Sequence, residues 1–314
     1  MKKKSFSPYK APFWAVNGHI STIIPTIFRK QPEFDYDKEP FHFTDGDLTQ
    51  LNWLKKGCKK LVIIIPGMGS NASKNYITNT AHYLHKQHYD ILVPDHRGIA
   101  LPNKLIKTTH SANYEDLSEI IQSDQVQGYQ NIYLIGYSLG GSIALNYIKR
   151  FPTEVTKTVT ISAPIELENA SHALEERENF LYQRRFVKNL RTSLLPKTSR
   201  FPSQLPLNSL KECQTVKDID ELYTAPINGF RNAEEYYEYG SASNFIDKIS
   251  SPLLIISAKD DPFIPLGSET VNKMKQNANI HSLLTNKGGH VAYPSYNLRG
   301  VFWHEKQVLK FIRQ

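Results

Sequence analysis

The sequence predicts an α/β protein built on a doubly wound, mostly parallel sheet. Short apolar runs without polar alternation, such as residues 61–65 and 132–135, are typical of strands covered on both faces. Stretches with helical periodicity alternate with these runs along the chain, which is the pattern of consecutive βαβ units. The chain of 314 residues is long enough for one large α/β domain or for two ordinary ones.

The first half of the chain carries most of this alternation. Residues 1–40 are expected to be irregular, because several prolines punctuate them. The elements expected after them are, in order, a hairpin of residues 41–44 and 51–54 turned at 45–47, a strand at 61–65, a helix at 73–87, a strand at 90–94, a helix at 114–127, a strand at 132–135, a helix at 142–150 and a strand at 157–162.

The pattern changes at residues 164–245, which we call the lid segment. Helical stretches such as 166–190 replace the strand-like runs, and prolines such as Pro196 are expected to interrupt them. The alternation then resumes with a strand at 252–257, a helix at 268–276, a strand at 280–284 and a helix at 301–312. We therefore expect residues 1–163 and 246–314 to form one core, with a helical lid inserted before the penultimate strand.

Composition and charge limit the classes of function. With 40% hydrophobic and 22% charged residues the chain is an ordinary globular protein, and its two cysteines favour a reducing compartment. The basic first residues lack the apolar stretch of a signal peptide, and no apolar run approaches the roughly 20 residues of a membrane span. A cytoplasmic location is therefore expected. The net charge of +8 would suit an anionic partner such as a phospholipid surface, whereas no motif indicates nucleic acid.

A candidate nucleophile lies between the strand at 132–135 and the helix that follows. Gly136, Ser138 and Gly140 form the pattern G-x-S-x-G, the nucleophile elbow that lifts a serine hydroxyl above a sheet. A side chain at either glycine would crowd so tight a turn. The alternative is a plain glycine turn that contains a serine, but the strand before it and the helix after it favour a catalytic Ser138.

A serine hydroxyl needs a base, and the base needs an acid to hold its tautomer. In this arrangement the acid and then the histidine follow the serine along the chain. Asp261 stands just past the penultimate strand, and His290 follows a pair of glycines after the last strand. Asp260 is the alternative acid, but the proline directly after Asp261 favours Asp261. Both positions lie at the carboxyl ends of parallel strands, where such sheets place their sites.

Two backbone N–H groups are expected to form an oxyanion hole. One belongs to Leu139, which follows the nucleophile, and the other to Met68, in the loop after the strand at 61–65. The alternative for residues 67–69 is a plain turn. Neither a cofactor nor a metal is expected: His82, His85 and His88 lie on or just after one helix, but no acid or cysteine beside them completes a metal site, so a solvated face is favoured.

The chain resembles the α/β-hydrolase family that contains the animal abhydrolase-domain phospholipases, the plant embryogenesis-associated hydrolases and their bacterial relatives. The matching segments are residues 13–22, Asp45-Gly46-Asp47 with Trp53, His110-Ser111 with Glu115-Asp116-Leu117, Asp260-Asp261-Pro262-Phe263 and Gly288-Gly289-His290. The resemblance implies that Ser138, Asp261 and His290 are the nucleophile, acid and base. It also implies ester hydrolysis, in some members of medium-chain acyl groups on phospholipids.

The resemblance has two departures. Pro66 stands where the family usually has histidine, and Asp95 stands where asparagine is usual before Arg-Gly. His19 and His110 recur in the family pattern, and because no triad role is left for them we expect structural hydrogen bonding.

The function expected is a serine carboxylester hydrolase acting on short- to medium-chain acyl esters, lipid esters among them. A thioesterase or an acyltransferase would use the same residues, so the sequence does not separate these reactions. A binding module that has lost catalysis is a third alternative, and the complete set of Ser138, Asp261 and His290 argues against it.

A basic stretch of the lid segment suggests a second partner. Residues 183–200 contain no acidic residue, and Phe186, Leu190 and Leu194 recur with the spacing of one helical face. The basic residues of this stretch are Arg184, Arg185, Lys188, Arg191, Lys197 and Arg200. Such a helix could rest on an anionic lipid surface. The alternative is that its apolar face packs on the rest of the protein while the charges are solvated.

Overall fold

The sheet of the protein, seen in a computed structural model that describes residues 6–314, has eight strands in the order β1-β2-β4-β3-β5-β6-β7-β8. The pairs β1–β2 and β2–β4 are antiparallel, and all other neighbours are parallel. The predicted mostly parallel sheet is therefore confirmed. The strands are β1 (Asp37–His42), β2 (Leu48–Leu54), β3 (Lys60–Ile65), β4 (Asp90–Pro94), β5 (Asn131–Tyr137), β6 (Lys157–Ile161), β7 (Leu253–Ala258) and β8 (Ile280–Thr285).

Helices cover both faces of this sheet. The α-helices are α1 (Gly18–Phe28), α2 (Asn75–Lys86), α3 (Tyr114–Gln122), α4 (Asp124–Gln127), α5 (Leu139–Arg150), α6 (Leu167–Glu175), α7 (Phe180–Thr198), α8 (Leu207–Glu212), α9 (Val216–Ile219), α10 (Ala225–Ile227), α11 (Ala233–Gly240), α12 (Ser268–Gln276) and α13 (Trp303–Ile312). The basic residues 1–5, on which the expectation about a signal peptide partly rests, lie outside the described residues.

Two apolar layers hold the sheet between its helices. One layer joins α3, α5 and α12 to the sheet through buried residues such as Ile63 and Leu134. The other joins α2 and α13 through residues such as Val62 and Ile64. Consecutive residues of β3 point to opposite faces, so an unbroken apolar run fills both layers at once. This is why β3 and β5 show no polar alternation.

Two prolines were expected to break the chain, but both lie inside helices. Residues 18–28 form α1, in the region expected to be irregular, although Pro25 lies within it. The side chain of Asn17 caps α1 by accepting a hydrogen bond from the Ile20 N–H. Pro196 lies near the end of α7 and does not interrupt that helix. A proline removes one helical hydrogen bond, but at neither place does it end the helix.

The lid segment contains α6 to α11 and has its own apolar cluster. Val187 and Leu194 of α7 are buried in this cluster, with Phe186 and Leu190 packed against it. The apolar face of the basic stretch therefore packs on the protein, as in the alternative considered from the sequence. Phe263, from the segment after β7, belongs to the same cluster, so the lid segment packs against the loop that follows Asp261.

The basic residues of the stretch 183–200 differ in their contacts. Lys197 is only 4% exposed and donates to the carbonyls of Ile106 and Lys107, and burial lowers its pKa to about 8. Arg191 and Arg200 also donate to main-chain carbonyls of other segments. These three cations therefore hold main-chain carbonyls of other segments, although only Lys197 is buried and Arg200 is exposed. Arg184, Arg185 and Lys188 are exposed as well.

A buried ion pair fastens α1 to α13. Arg29, at the end of α1, lies 2.8 Å from a carboxylate oxygen of Glu305, and both side chains are almost inaccessible to solvent. The same carboxylate accepts the Phe302 N–H at 2.7 Å, and the Arg29 guanidinium lies over the Phe302 ring. Because α1 also contacts the candidate active site, this pair connects the last helix to it.

Replacing Arg29 by methionine should leave the Glu305 carboxylate buried and unpaired. We expect the free energy of unfolding to fall by about 3–5 kcal/mol, as measured by urea denaturation at pH 7. Lys273→Met is the control, because it breaks an exposed pair with Glu269 and should leave the unfolding midpoint unchanged. Equal midpoints for all three proteins would contradict a structural role for the buried pair.

Candidate active site

Ser138 occupies a strained turn between β5 and α5. Its φ of 51° and ψ of −124° are uncommon for a residue with a side chain. The start of α5 lies so close to β3 that a Cβ on Gly140 would come within 2.2 Å of the Ile65 carbonyl oxygen. The Ser138 N–H donates to the Ile161 carbonyl of β6 at 2.9 Å. This geometry is that of a nucleophile elbow at the carboxyl end of β5.

His290 and Asp261 meet at the ends of the last two strands. Nδ1 of His290 lies 2.9 Å from Oδ2 of Asp261, whose side chain is fully buried. The other carboxylate oxygen accepts the N–H groups of Phe263 and Ile264 at 3.3 and 3.2 Å. The Asp261 carboxylate can only accept a hydrogen bond, so Nδ1 of His290 carries the proton. Nε2 of His290 then has no proton and is free to accept one. His290 and Ser138 line the same cavity of about 470 Å³.

Asp260 has a different partner from Asp261. Its Oδ1 accepts the Gly289 N–H at 2.9 Å. This hydrogen bond joins the loop after β7 to the loop that carries His290. Burial raises the pKa of Asp260, and the nearby Asp261 carboxylate raises it further. The structure therefore brings Asp261, and not Asp260, to the ring of His290.

The loop that carries His290 rests on α1. The His290 N–H donates to Oγ1 of Thr22 at 2.8 Å, and Gly289 adopts a φ of 62°. A Cβ on Gly289 would come within 2.7 Å of the Gly18 carbonyl oxygen, so only glycine fits this approach. The sequence analysis did not predict that α1 supports the loop of His290. The match of residues 13–22 to the family pattern is the signal that could have predicted this contact.

The loop after β3 is held from both sides. The Gly67 N–H donates to the Tyr76 hydroxyl at 3.2 Å, and Nε2 of His96 donates to the Pro66 carbonyl at 2.9 Å. Burial lowers the pKa of His96, which keeps its ring neutral. The N–H of Gly67 is therefore occupied, and the N–H of Met68 stays the predicted donor of this loop. Met68 lines the cavity that contains Ser138.

His96 also accounts for the first departure from the family pattern. Pro66 cannot support the loop with a side-chain donor, and the imidazole of His96 reaches the Pro66 carbonyl from the end of β4. Neither His96 nor Tyr76 was singled out from the sequence. His96 lies beside the Asp95 departure, whereas Tyr76 carries no local signal.

Asp95, the second departure from the family pattern, links two segments of the chain through hydrogen bonds to its side chain. Its carboxylate accepts from Nδ2 of Asn52 at 2.9 Å and from the Ala72 N–H at 2.8 Å. Burial raises the pKa of Asp95, and those hydrogen bonds limit the rise. The carboxyl therefore joins β2 to the segment that follows the loop after β3.

Several other residues of the family pattern converge on Arg97. Its guanidinium donates to Asp45 at 3.0 Å, to Asp47 at 3.1 Å and to Asp116 at 2.7 Å. Burial alone would lower the pKa of Arg97, but these carboxylates raise it. The Asp-Gly-Asp turn and the start of α3 are thus held together by one buried cation.

Four histidines outside the proposed triad, His19, His110, His82 and His85, make structural contacts. His19 stacks on Tyr182 of α7 and lies 3.3 Å from its hydroxyl, and Nδ1 of His110 accepts the Ala112 N–H at 3.3 Å. Structural hydrogen bonding was expected for both. His82 stacks on Phe34, and His85 lies 3.1 Å from the Tyr89 carbonyl. His82 and His85 are half-buried and His88 is exposed, so this face of α2 is partly solvated and partly packed.

Phe263 connects the lid segment to His290. Its ring centroid lies 4.3 Å from that of His290, and it also contacts Tyr182 and Phe186 of α7 at 5.0 and 5.6 Å. One aromatic ring therefore packs on the histidine and on α7 of the lid segment.

Two observations concern metals and membranes. Within residues 6–314, no group of three or more His, Cys, Asp or Glu residues is placed to hold a metal ion. In the same part of the chain, no helix combines the length and apolarity needed to cross a bilayer.

The fold and the strained serine turn between β5 and α5 define an α/β hydrolase. The chain belongs to the family described as the alpha/beta hydrolase fold, whose model matches residues 60–295. It is 29% identical over 288 residues to the Escherichia coli protein YheT, which is named as a candidate esterase, covering 88% of this chain and 84% of YheT.

Two further comparisons agree with this family. The chain is 24% identical over 299 residues to human phospholipase ABHD3, covering 91% of this chain and 73% of that protein. The crystal structure of the Pyrococcus furiosus esterase Pf2001 is similar in fold, with a TM-score of 0.60 at 18% identity over 89% of this chain and 90% of that one. The resemblance found in the sequence is confirmed, and the matches support hydrolase activity of the esterase and lipase type.

Proposed function

We propose that the protein is a serine carboxylester hydrolase with Ser138 as nucleophile, His290 as base and Asp261 as acid. The observation that carries the proposal is the His290–Asp261 hydrogen bond beside a strained serine in one cavity. The family membership and the names of its relatives support the same chemistry.

The reaction follows from the placement of these groups. Nε2 of His290 takes the proton of Ser138 as its Oγ attacks the acyl carbonyl, and the carbonyl oxygen becomes an oxyanion. The backbone N–H groups of Leu139 and Met68 stabilise that oxyanion. When the intermediate collapses, the ester C–O bond breaks and the protonated His290 gives its proton to the departing alcohol. Water then attacks the acyl-enzyme through the same base and releases the acid and the free serine.

Asp261 suits the acid role because both of its oxygens are engaged. One oxygen holds the Nδ1–H of His290, and the other is fixed by two backbone N–H groups. This arrangement holds the ring in the tautomer that leaves Nε2 free, and it stabilises the imidazolium formed during attack.

The proposed substrates are short- to medium-chain acyl esters, including lipid esters. The cavity of about 470 Å³ beside Ser138 can hold such a group, and one relative is named as a phospholipase. We propose that residues 164–245 act as the lid over this cavity between the two parts of the core, 1–163 and 246–314. Two free cysteines suit a reducing compartment such as the cytoplasm.

A fluorophosphonate probe and a chain-length series of p-nitrophenyl esters test this function. We expect labelling at Ser138 and hydrolysis of the esters, and Ser138→Ala should abolish both. His290→Ala should lower kcat by roughly three orders of magnitude or more, and the double variant should lose little beyond that, because the residues act as a unit. The control is Ser203→Ala, an exposed serine of the lid segment. Near-normal turnover by folded Ser138→Ala protein would contradict the proposal.

A comparison of the two neighbouring carboxylates tests the choice of acid. Asp261→Asn should lower kcat strongly, because an amide cannot stabilise the imidazolium of His290. Asp260→Asn should have a smaller effect, because Asp260 accepts from the backbone of the histidine loop and not from the imidazole. Both changes are isosteric, so each serves as the control for the other. A larger loss of kcat in Asp260→Asn would assign the acid role to Asp260.

The exposed cations of α7 allow a test of contact with a membrane. Arg184, Arg185 and Lys188 are exposed beside Phe180 and Leu181, which are 58% and 70% exposed. We propose that this end of α7 rests on an anionic lipid surface, where each basic residue contributes about 1 kcal/mol.

Replacing Arg184, Arg185 and Lys188 by glutamine should weaken binding to vesicles that contain phosphatidylserine, as measured by co-sedimentation. Hydrolysis of a soluble short ester should keep its kcat, since none of the three charges takes part in the proposed chemical step; Arg185 lines the cavity that contains Ser138, so a change in KM does not count as a membrane effect. The matched control replaces Lys55, Lys56 and Lys59, which are exposed in the loop between β2 and β3, at the amino end of β3. If both triple variants bind vesicles equally, or if the parent protein does not bind them, the lid segment has no specific contact with the membrane.

A further inference from the structure

A second, smaller cavity of about 100 Å³ leads from Ser138 between the core and the lid segment. It shares Ser138, Met68 and Phe263 with the larger cavity, so the two open to the same serine. Apolar side chains form much of its wall, including Leu139, Leu167, Leu174, Phe186, Leu190 and Val216. A wall of this kind beside the nucleophile fits an acyl chain better than a polar leaving group.

The wall of this cavity also contains a buried polar group. The Tyr237 hydroxyl donates to Oδ2 of Asp220 at 2.9 Å, and it lies 3.2 Å from Oγ of Ser171. All three residues line the cavity. They come from three parts of the lid segment: α6, α11 and the π-helical turn Asp220–Thr224. Turns of the π type are rare and recur at functional sites.

The carboxyl of Asp220 is in an environment that disfavours its charge. Burial raises its pKa to about 6, although hydrogen bonds from Thr224 and Tyr237 oppose the rise. Both side chains that donate to the Asp220 carboxyl do so through hydroxyl groups, and neither is a cation. An ionised carboxylate has about four acceptor positions, so two hydroxyl donors leave acceptor capacity open. Asp220 retains partial exposure, and it forms part of the cavity wall.

His110 adds a second polar group to the same wall. Its Nδ1 accepts the Ala112 N–H, and burial lowers its pKa to about 4, so the ring is neutral with the proton on Nε2. The ring is held edge-on against Phe230 and Tyr236. The wall therefore contains an acceptor at Asp220 and a donor at His110. A hydroxyl group is complementary to such a pair, because it both donates and accepts.

We propose that this cavity binds an acyl chain that carries a hydroxyl group, with Asp220 accepting the hydrogen bond of that hydroxyl. The proposal rests on the proposed ester hydrolysis at Ser138 and names the substrate class of that site. Asp220 is then a specificity-determining residue and takes no part in the chemical step.

A simple alkyl chain suits this site poorly. A cavity of about 100 Å³ has room for several waters, which can hydrate the carboxylate when the site is free. An alkyl chain would displace these waters without replacing their hydrogen bonds, and that loss weakens binding. A hydroxyl group replaces one of them. A protonated amine would lose far more hydration, and the two hydroxyl donors on Asp220 already reduce its attraction for a cation.

The test compares pairs of p-nitrophenyl esters in the unmodified protein. The pairs are butyrate with 3-hydroxybutyrate, hexanoate with 6-hydroxyhexanoate, and octanoate with 8-hydroxyoctanoate. For at least one pair, we expect kcat/KM for the hydroxylated ester to be about tenfold higher or more, as for sites built around a substrate hydroxyl. This comparison requires no variant and is therefore independent of any folding defect.

Variants then assign the preference to Asp220. Asp220→Leu should remove or reverse the ratio between the hydroxylated and plain esters, and Asp220→Asn should reduce it. Glu212→Gln removes an exposed carboxylate of the same segment and should keep the ratio of the parent protein. A ratio unchanged in a folded Asp220→Leu protein would overturn the assignment.

The remaining outcomes separate this inference from the proposed function. Equal rates within every pair would overturn the inference and leave ester hydrolysis standing, and a larger gain for the 6-aminohexanoate ester would overturn the preference for a hydroxyl. Failure to hydrolyse any ester would contradict the proposed function. In that case equilibrium dialysis of Ser138→Ala with the p-nitroanilides of hexanoate and 6-hydroxyhexanoate decides the inference. Tighter binding of the hydroxylated anilide, by about tenfold, supports it, and equal binding overturns it.

Discussion

The close approach of α5 to the end of β3 is the constraint on which the candidate active site depends. A Cβ on Gly140 would lie 2.2 Å from the carbonyl oxygen of Ile65, so the two backbones can meet only if that residue is glycine. The contact places the first N–H groups of α5 beside the loop after β3. It also requires the positive φ of Ser138, a conformation that costs on the order of 1–3 kcal/mol. The buried packing of α5 against the sheet offsets that strain.

The groups around this contact are held by elements that are distant in the sequence. Tyr76 of α2 and His96 after β4 fix the loop of residues 66–68 from two directions. Thr22 of α1 fixes the backbone of His290. Each support is a single hydrogen bond to the main chain, so it sets the position of the loop without contributing a side chain to the reaction. The site is therefore oriented by the packing of α1, α2 and the sheet together.

The sequence predicted the parts of this protein whose signals are local. Unbroken apolar runs identified the parallel strands, and the chain order of serine, acid and histidine led to Asp261, which the structure brings to His290. Its catalytic role stays a prediction. The errors came from tertiary effects. Pro25 and Pro196 suggest chain breaks, yet the surrounding contacts keep both in helices. Lys197 belongs to a basic stretch, but only the fold shows that its ammonium is directed inward to carbonyl groups.

Met68 combines two tasks at one position, and this has a consequence for how the enzyme can diversify. In the proposed mechanism its backbone N–H stabilises the oxyanion, and the residue also lines both cavities beside Ser138. The hydrogen bond between Gly67 and Tyr76 sets the backbone of this loop without involving the side chain of the next residue. The width of the acyl site can therefore change by substitution at position 68 while the donor stays in place. A single substitution at this position, in evolution or by design, can therefore change the chain-length preference while Ser138, His290 and Asp261 stay the same.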